Sequence, residues 1–317
     1  MKHLSRQIHE RLMNAKKILI IPHQHPDGDC LGSAGALQEF LNNANKDARI
    51  FCATPAHERF HFIPHARAIS TDIAHFADPD IDLVVVLDSG DLRYAGVADH
   101  LKNHRADIIN IDHHPTNEKY GAINLVIPTA SSTAEIVFHF FKHNSVVITP
   151  AMATALLTGI VTDTGNFTNG ATNPTAMIIA GELLRAGANL NMVNQNTLKN
   201  KSLAVLKLWG AALARLTRHD ESGITHTYLT QKDFAEQGVS ESEADGIANF
   251  LNNLEGGKIS LMLKETADGK IKGSLRTTRD DTDVAAMAKN LGGGGHKKAA
   301  GFTVDGTIDE VLKKILK

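Results

Sequence analysis

The sequence has very little cysteine, since Cys30 and Cys52 are the only two in 317 residues and no C-x-x-C spacing occurs. Neither a disulfide framework nor a thiolate zinc site is therefore indicated. No apolar run approaches the roughly 20 residues that span a bilayer, and the N-terminal stretch lacks the apolar segment of a signal peptide. We expect a cytoplasmic protein with no membrane partner.

The chain also lacks a strong charge imbalance, because its formal net charge is −2. No global basic field indicates a long nucleic-acid partner. No repeat with a period of 20 to 50 residues and no low-complexity tract occurs, which excludes solenoids. The apolar share of 42% and charged share of 21% are ordinary for a globular protein. A chain of this length is long for one core, so two domains are expected.

Three short apolar runs, at residues 17–22, 83–87 and 107–111, predict strands that are buried on both faces. Apolar residues at helical spacing predict helices over residues 29–42 and 132–143. This alternation predicts a parallel sheet.

Local signals mark where two helices begin. Ser132 with Glu135 three residues later has the pattern of a capping box, and Pro150 opens a helix that leads to Asp163.

The pattern changes after about residue 221. A strand at 224–229, a helix near 240–254, two strands around a turn at 267–270 and a glycine cluster predict a second α/β domain. We therefore expect an α/β protein with a mostly parallel-sheet N-terminal domain and a smaller α/β C-terminal domain. The expected boundaries are residues 1–186 for the first domain, 187–220 for a helical connector and 221–317 for the second domain.

Acidic and histidine side chains follow each predicted strand. They are His23, Asp27 and Asp29 after the first strand, Asp88 after the second, and Asp112, His113 and His114 after the third. In α/β folds the carboxyl ends of the strands form the ligand-binding edge. Each group alone has a simpler explanation, such as a solvated turn with a helix-capping aspartate. Because these acidic and histidine side chains follow three different strands, together they favour a ligand-binding site at that edge of the sheet.

Asp163 lies in T-D-T-G at the end of the helix that Pro150 opens, and a C-terminal turn is its simpler explanation. Four motifs, H-Q-H-P-D-G-D, L-D-S-G-D, I-D-H-H-P and T-D-T-G, resemble those of the DHH phosphoesterases in order and spacing. The stretches at 273–279 (G-S-L-R-T-T-R) and 292–301 (G-G-G-G-H-K-K-A-A-G) resemble the DHH-associated substrate domain. The resemblance covers nearly the whole chain and is greatest to the NrnA-like group of oligoribonucleases and pAp phosphatases.

The resemblance implies two metal sites that share one carboxylate. The implied ligands are His23, Asp27 and Asp88 at the first site, and Asp29, Asp88, His113 and Asp163 at the second. Imidazole and carboxylate ligands without thiolate favour Mn²⁺, with Mg²⁺ or Co²⁺ as alternatives. Two such ions activate water and hold the attacking and leaving oxygens of a phosphate ester.

Two residues of the D-H-H motif are left over by that assignment. We expect His114 to contact the scissile phosphate or assist the leaving oxygen, because a second imidazole so close is otherwise surplus. We expect Asp112 to orient its neighbours, since ligating imidazoles commonly donate their other N–H to a carboxylate.

The C-terminal motifs predict substrate contacts. Consecutive glycines allow backbone N–H groups to approach an anion, and Arg276 can grip a phosphate as a bidentate fork. A surface ion pair is the simpler explanation for Arg276. The expected substrate-binding residues are Arg276, Gly293, Gly294, Gly295 and His296, together with His114.

The resemblance implies short oligoribonucleotides (nanoRNA and linear dinucleotides) or pAp as substrates, and a homodimer. A family II inorganic pyrophosphatase is an alternative that the S-L-R-T and G-G-G-G-H elements disfavour. A processive exonuclease of the RecJ type needs further domains with stacking platforms, for which 317 residues with 5% aromatics leave little room. A non-catalytic nucleotide sensor is a third alternative, and the intact motifs disfavour it.

Overall fold

The chain forms two compact units, Met1–Asn200 and Lys201–Lys317, each with its own sheet and core. The computed structural model describes residues 1–198, 201–241, 243–244, 246–254 and 257–316. The expected α/β class is confirmed, because helices cover a parallel sheet in the first unit and a mixed sheet in the second. Within the described residues no helix has the length and apolar character needed to cross a membrane.

The first unit is built on a five-stranded sheet in the order β2-β1-β3-β4-β5, in which every neighbouring pair is parallel. Its strands are β1 (Lys17–Pro22), β2 (Asp47–Ile50), β3 (Ile81–Leu87), β4 (Asp107–Asp112) and β5 (Ile123–Val126). Its helices are α1 (Lys2–Asn14), α2 (Gly28–Asn43), α3 (Ala98–Leu101), α4 (Thr133–His143), α5 (Pro150–Asp163), α6 (Pro174–Arg185) and α7 (Leu190–Thr197). Three short 3₁₀ helices connect β2 to β3.

The central strands are apolar along their whole length because both faces of this sheet are covered. In β1, Ile18 and Ile20 pack into the core beneath α2, α4 and α5, while Leu19 and Ile21 pack into a smaller core on the opposite face. The three predicted strands correspond to β1, β3 and β4. The edge strands β2 and β5 have four residues each, too few to give a periodic signal.

Helices α2 and α5 pack antiparallel at very short range, and glycine makes this approach feasible. A Cβ atom at Gly32 would lie 2.3 Å from the Ala155 carbonyl oxygen, and one at Gly159 would lie 2.6 Å from Asp29 Oδ1. The first turn of α2 therefore lies beside the last turn of α5. This places Asp29 and Asp163 at the same end of the helix pair.

The predicted helix starts at Ser132 and Pro150 are correct, but the predicted capping box is wrong. Ser132 is the N-cap of α4 and its Oγ accepts from the Glu135 N–H, as expected. The Glu135 carboxylate instead accepts from the backbone N–H and the hydroxyl of Ser131, at 2.9 and 2.7 Å. Ser131 is buried, so its donors need a partner inside the protein.

The second unit is built on a six-stranded sheet in the order β10-β11-β9-β8-β7-β6, in which only the β7–β8 pair is parallel. Its strands are β6 (Thr217–His219), β7 (Ile224–Leu229), β8 (Ile259–Glu265), β9 (Ile271–Arg276), β10 (Gly294–His296) and β11 (Ala299–Val304). Its helices are α8 (Leu203–Ala214), α9 (Gln231–Gln237), α10 (Ile247–Phe250), α11 (Val284–Lys289) and α12 (Ile308–Ile315). Helices α11 and α12 pack on one face, and α8, α9 and α10 on the other.

The helix predicted near residues 240–254 is largely wrong. Of the described residues in this stretch, α10 contributes four helical residues and a 3₁₀ turn follows at Leu251–Asn253. Gly246, at φ +103°, precedes α10 in a conformation that a continuous helix does not allow. Ser242 and Asp245 lie outside the described residues.

Helix α9 was not predicted. It begins with a capping box between Thr230 and Asp233 and ends at Gly238, which has a left-handed backbone. The stretch predicted as a helical connector, residues 187–220, contains α7 of the first unit and α8 and β6 of the second. Residues 199 and 200 of that stretch lie outside the described part of the chain.

The close packing of α2 on α5 leads to a first prediction. We expect Gly32→Ala to lower the free energy of unfolding by about 2 kcal/mol, because the new methyl group would overlap a backbone carbonyl that cannot move aside. The matched control is Gly181→Ala on α6, where a Cβ meets nothing within 4 Å. That change should be neutral or stabilise by about 0.5–1 kcal/mol. Calorimetric melting of both variants measures the difference, and equal Tm values would contradict the role of Gly32.

Candidate metal centre

Three strands of the first unit end at one edge of the sheet and deliver the polar residues of the motifs there. β1 is followed by His23, β3 by Asp88, and β4 ends on Asp112 with His113 next. Asp88 has a left-handed backbone, with φ +58°, and its N–H donates to the Ile111 carbonyl at 3.0 Å. This turn holds the Asp88 carboxylate between the other two strand ends.

A first group of donor atoms gathers around the end of β1. His23 Nε2 lies 3.8 Å from Asp27 Oδ1 and 3.6 Å from Asp88 Oδ2. Cys30 belongs to the same group, and one donor atom from each of these four residues lies within 4.8 Å of all the others. The sequence had indicated the imidazole and the two carboxylates but no sulfur.

A second group lies beside the first. His113 Nε2 is 3.2 Å from Asp163 Oδ2 and 3.5 Å from Asp88 Oδ1, and Asp29 joins His113 and Asp163 within 4.8 Å. The two oxygens of Asp88 thus face different groups. The Asp88 carboxylate therefore lies between the first and second groups of donor atoms.

Both imidazoles are oriented as metal binding requires. His23 Nδ1 lies 2.8 Å from the Gln24 carbonyl and His113 Nδ1 lies 3.3 Å from the Ala130 carbonyl. A carbonyl oxygen can only accept, so Nδ1 carries the proton in both rings. Nε2 is then the ring nitrogen that faces each donor group, which is the arrangement typical of metal-binding histidines.

The N-terminus of helix α4 stabilises the carboxylates of Asp29 and Asp88 through hydrogen bonds. Asp29 accepts the backbone N–H groups of Thr133 and Ala134, at 2.6 and 2.8 Å, and the Thr133 hydroxyl donates to Asp88 Oδ1 at 2.9 Å. The positive end of the helix dipole favours negative charge at this position. Each carboxylate oxygen keeps a second lone pair for another partner.

The carboxylates repel one another more strongly than the neighbouring protein groups can offset. Burial raises the pKa of Asp29 and Asp163 well above the ordinary value, and the charge of Asp88 raises both further. Burial and the charge of Asp27 also raise the pKa of Asp88, against the opposing effect of His113 and His23. Divalent cations would remove this repulsion, so the donor set and its charge fit two metal ions.

His114 and Asp112 form a separate pair at the end of β4. His114 Nδ1 lies 2.7 Å from Asp112 Oδ1, and Asn117 donates to Asp112 Oδ2 at 2.6 Å. Burial lowers the pKa of His114, but the hydrogen bond to Asp112 and the charge of Asp88 outweigh it and raise the pKa to about 9. His114 is also grouped with Asp88 and His113, yet its Nδ1 lies closer to Asp112 Oδ1 than to Asp88 Oδ1, at 2.7 against 3.6 Å. That leaves His114 outside the two donor groups described above.

In the second unit, Arg276 lies at the end of β9 in a cavity of about 450 Å³. Its Nε donates to Asn249 Oδ1 at 2.8 Å, so the guanidinium is held by α10. Lys264 and Lys272 line the same cavity. So do Gly294 and Gly295, whereas Gly293 and His296 are not among its lining residues.

Part of the glycine run forms a β-strand. Gly294 and Gly295 belong to β10, which pairs with β11. A Cβ at Gly293 would lie 2.1 Å from the Gly301 carbonyl, and Gly295 has φ +138° with the Ala299 carbonyl 2.5 Å from its Cβ position. Close strand packing is therefore one reason why this run is glycine.

Three residues of the centre were missed by reasoning from the sequence, namely Cys30, Thr133 and Asn117. Cys30 directly follows H-Q-H-P-D-G-D, and Asn117 lies three residues after D-H-H, so proximity to a motif was the available signal. Thr133 follows Ser132, which was interpreted only as a helix cap.

Comparison with known proteins matches both units to families. Residues 17–160 match the N-terminal domain of the DHH family and residues 222–317 match the DHHA1 domain. The chain is 31% identical to the bifunctional oligoribonuclease and PAP phosphatase NrnA of Thermus thermophilus, over 94% of this chain and 88% of that protein. It is 26% identical to the NrnA of Bacillus subtilis, over 90% and 89%.

Solved structures have the same fold. An exopolyphosphatase-related protein from Bacteroides fragilis superposes with a TM-score of 0.93 at 26% identity, covering 100% of this chain and 96% of that one. RecJ of Thermus thermophilus in complex with Mn²⁺ superposes with a TM-score of 0.59 at 15% identity, covering 99% and 53%.

A parallel α/β unit with imidazoles and buried carboxylates gathered at its strand ends defines a metal-dependent hydrolase of phosphate esters. The chain belongs to the DHH phosphoesterase family and is NrnA-like.

The hydrogen bonds around Asp112 lead to a second prediction. We expect Asn117→Ala to lower kcat about tenfold or more with metal content unchanged, because Asp112 then loses a donor and holds His114 less firmly. The control is Asn124→Ala on β5, which accepts from Asn110 and does not contact Asp112. Steady-state kinetics and metal analysis of both variants measure the effect. A loss of metal in Asn117→Ala, or an equal loss of kcat in the control, would argue against it.

Proposed function

We propose that this protein is a two-metal phosphodiesterase and phosphatase that hydrolyses short oligoribonucleotides to mononucleotides and pAp to AMP. The observation that carries the proposal is the Asp88 carboxylate, whose two oxygens face different donor groups. The names of the Thermus thermophilus and Bacillus subtilis relatives, oligoribonuclease and PAP phosphatase, support this choice of substrates.

In this proposal the two donor groups hold one divalent ion each. The first is held by His23, Asp27 and Asp88, and the second by Asp29, Asp88, His113 and Asp163. Mn²⁺ is the ion we propose, with Mg²⁺ and Co²⁺ as alternatives, and RecJ structures containing Mn²⁺ and Mg²⁺ support divalent ions of this kind. Such a pair supplies an activated water and neutralises charge on the phosphoryl oxygens.

His114 is the residue we propose to contact the scissile phosphate or the leaving oxygen. Asp112, itself held by Asn117, forms a hydrogen bond with His114 Nδ1, so the ring needs little reorientation when substrate binds. A ring N–H directed at a phosphoryl or leaving oxygen stabilises the charge that develops there.

The second unit is proposed to bind the nucleotide. Its cavity is within the size range of ligand pockets and is lined by three cationic side chains, Arg276, Lys264 and Lys272. A guanidinium held by Asn249 presents a planar fork to a phosphate with little loss of conformational freedom. The proposed substrate contacts are Arg276, Gly293, Gly294, Gly295 and His296. We further propose a homodimer, on the family resemblance alone.

Hydrolysis assays with 5′-labelled dinucleotides, pAp and pyrophosphate in the presence of Mn²⁺ test the function. We expect mononucleotides from dinucleotides and AMP from pAp, with pyrophosphate little affected. Preferential cleavage of pyrophosphate would instead identify a family II pyrophosphatase. Binding of dinucleotide without any product would identify a nucleotide sensor.

The shared carboxylate has its own test. Asp88→Asn should lower kcat by about 10³-fold or more and reduce the bound metal, because both donor groups lose a charged ligand. Asp91→Asn is the matched control, since Asp91 only accepts backbone N–H groups of Arg93 and Tyr94 and pairs with Arg93. Full activity of Asp88→Asn would exclude the two-metal assignment.

The cavity of the second unit is tested by Arg276→Ala. We expect KM for dinucleotides and pAp to rise about tenfold or more, with a smaller change in kcat, because a contact that binds substrate and transition state alike is lost. Arg279→Ala is the control, as Arg279 is exposed and pairs with Asp281. Unchanged KM in Arg276→Ala would favour the simpler explanation that Arg276 is only structural.

A further inference from the structure

Cys30 occupies a position that the metal assignment above does not use. It lies in the first turn of α2, between the ligand candidates of the D-G-D turn and the core, and its side chain is fully buried. The thiol sulfur makes a long contact to the Asp27 carbonyl, at 3.7 Å. A contact of this length between a weak donor and a helix carbonyl does not by itself account for the position.

The second cysteine provides an internal comparison. Cys52 is also fully buried, and its sulfur lies 3.4 Å from the carbonyl of His23. Among the described residues, however, Cys52 belongs to none of the donor groups, whereas Cys30 belongs to the first. Burial next to the centre is common to both cysteines, and only Cys30 faces the donors.

The four donors of the first group differ from those of the second in chemistry. The first contains one imidazole, two carboxylates and one sulfur, from His23, Asp27, Asp88 and Cys30. Imidazole, carboxylate and sulfur are the ligands that Zn²⁺ takes in proteins, with bonds of about 2.0–2.3 Å, and zinc can expand to five-coordinate to admit a water beside four protein ligands. Donor atoms within 4.8 Å of one another can close on a single ion with small side-chain movements.

We propose that Cys30 Sγ is a fourth protein ligand of the ion at the first site and makes this site prefer Zn²⁺ or Co²⁺ over Mn²⁺ or Mg²⁺. The proposal rests on the two-metal function proposed above. When the sulfur binds the ion, the S–H bond breaks and its proton passes to solvent, so the ligand is a thiolate. Thiolate is a soft ligand, and it favours zinc and cobalt over the harder ions.

The two sites then differ in selectivity. The second site, formed by Asp29, Asp88, His113 and Asp163, contains only nitrogen and oxygen donors and suits Mn²⁺. A protein supplied with both kinds of ion would bind the softer ion at the first site and the harder ion at the second. Replacing the sulfur should remove this difference.

The experiment is a titration of the full-length, chelator-stripped protein with Co²⁺, followed by absorption spectroscopy. Bound thiolate gives a sulfur-to-cobalt charge-transfer band in the near ultraviolet, which nitrogen and oxygen ligands do not give. We expect the band in the wild-type protein and in Cys52→Ser, and its loss in Cys30→Ser. Affinity for Co²⁺ and Zn²⁺ at the first site should fall about tenfold or more in Cys30→Ser, with a smaller change for Mn²⁺.

The outcomes separate this proposal from the one it rests on. Stoichiometric Co²⁺ binding and phosphate-ester hydrolysis without a charge-transfer band in the wild-type protein would overturn the role of Cys30 alone. A band that persists in Cys30→Ser would also overturn it. Absence of any metal binding would refute the two-metal function itself. If Cys30→Ser fails to fold, which circular dichroism would reveal, the wild-type spectrum still tests whether a thiolate binds the ion.

Discussion

The mutual repulsion of carboxylates at one edge of the first sheet is the constraint on which the rest of the centre depends. Asp29 and Asp88 are almost completely buried and Asp163 lies beside them, so water cannot screen their charges. Such an arrangement is stable only where opposite charge is supplied. The N-terminus of α4 and the expected divalent ions supply it.

The surrounding structure serves to bring these carboxylates together. The parallel sheet delivers Asp88 between His23 and His113, because neighbouring parallel strands end at the same edge. The glycine contacts of α2 with α5 then place Asp29 and Asp163 beside that edge. Larger side chains at these contacts would separate the two helices and with them the second donor group. Packing and chemistry are thus coupled through the same few residues.

Prediction from sequence was most accurate where a residue's environment repeats along the chain. The strands β1, β3 and β4 are buried on both faces, so their apolar runs were visible, and α5 begins at Pro150 as expected. Prediction was poorest where one contact decides the structure. The carboxylate of Glu135 binds Ser131 because a buried N–H needed an acceptor. The described residues around Gly246 do not form one long helix, because that glycine has a left-handed backbone.

The sequence by itself determined which polar residues follow each strand. It also contains the four motifs, from His23 to Asp163, that place the chain among the DHH phosphoesterases. These features are local, and each can be recognised within a few residues. Only the tertiary structure decided that Asp88 lies between two donor groups, and that Thr133 and Ala134 support Asp29 across more than 100 residues of chain. It also decided that, among the described residues, Cys30 and not Cys52 joins a group of candidate metal ligands. The physical reason is that direction and distance between side chains arise from packing, which composition and spacing do not encode.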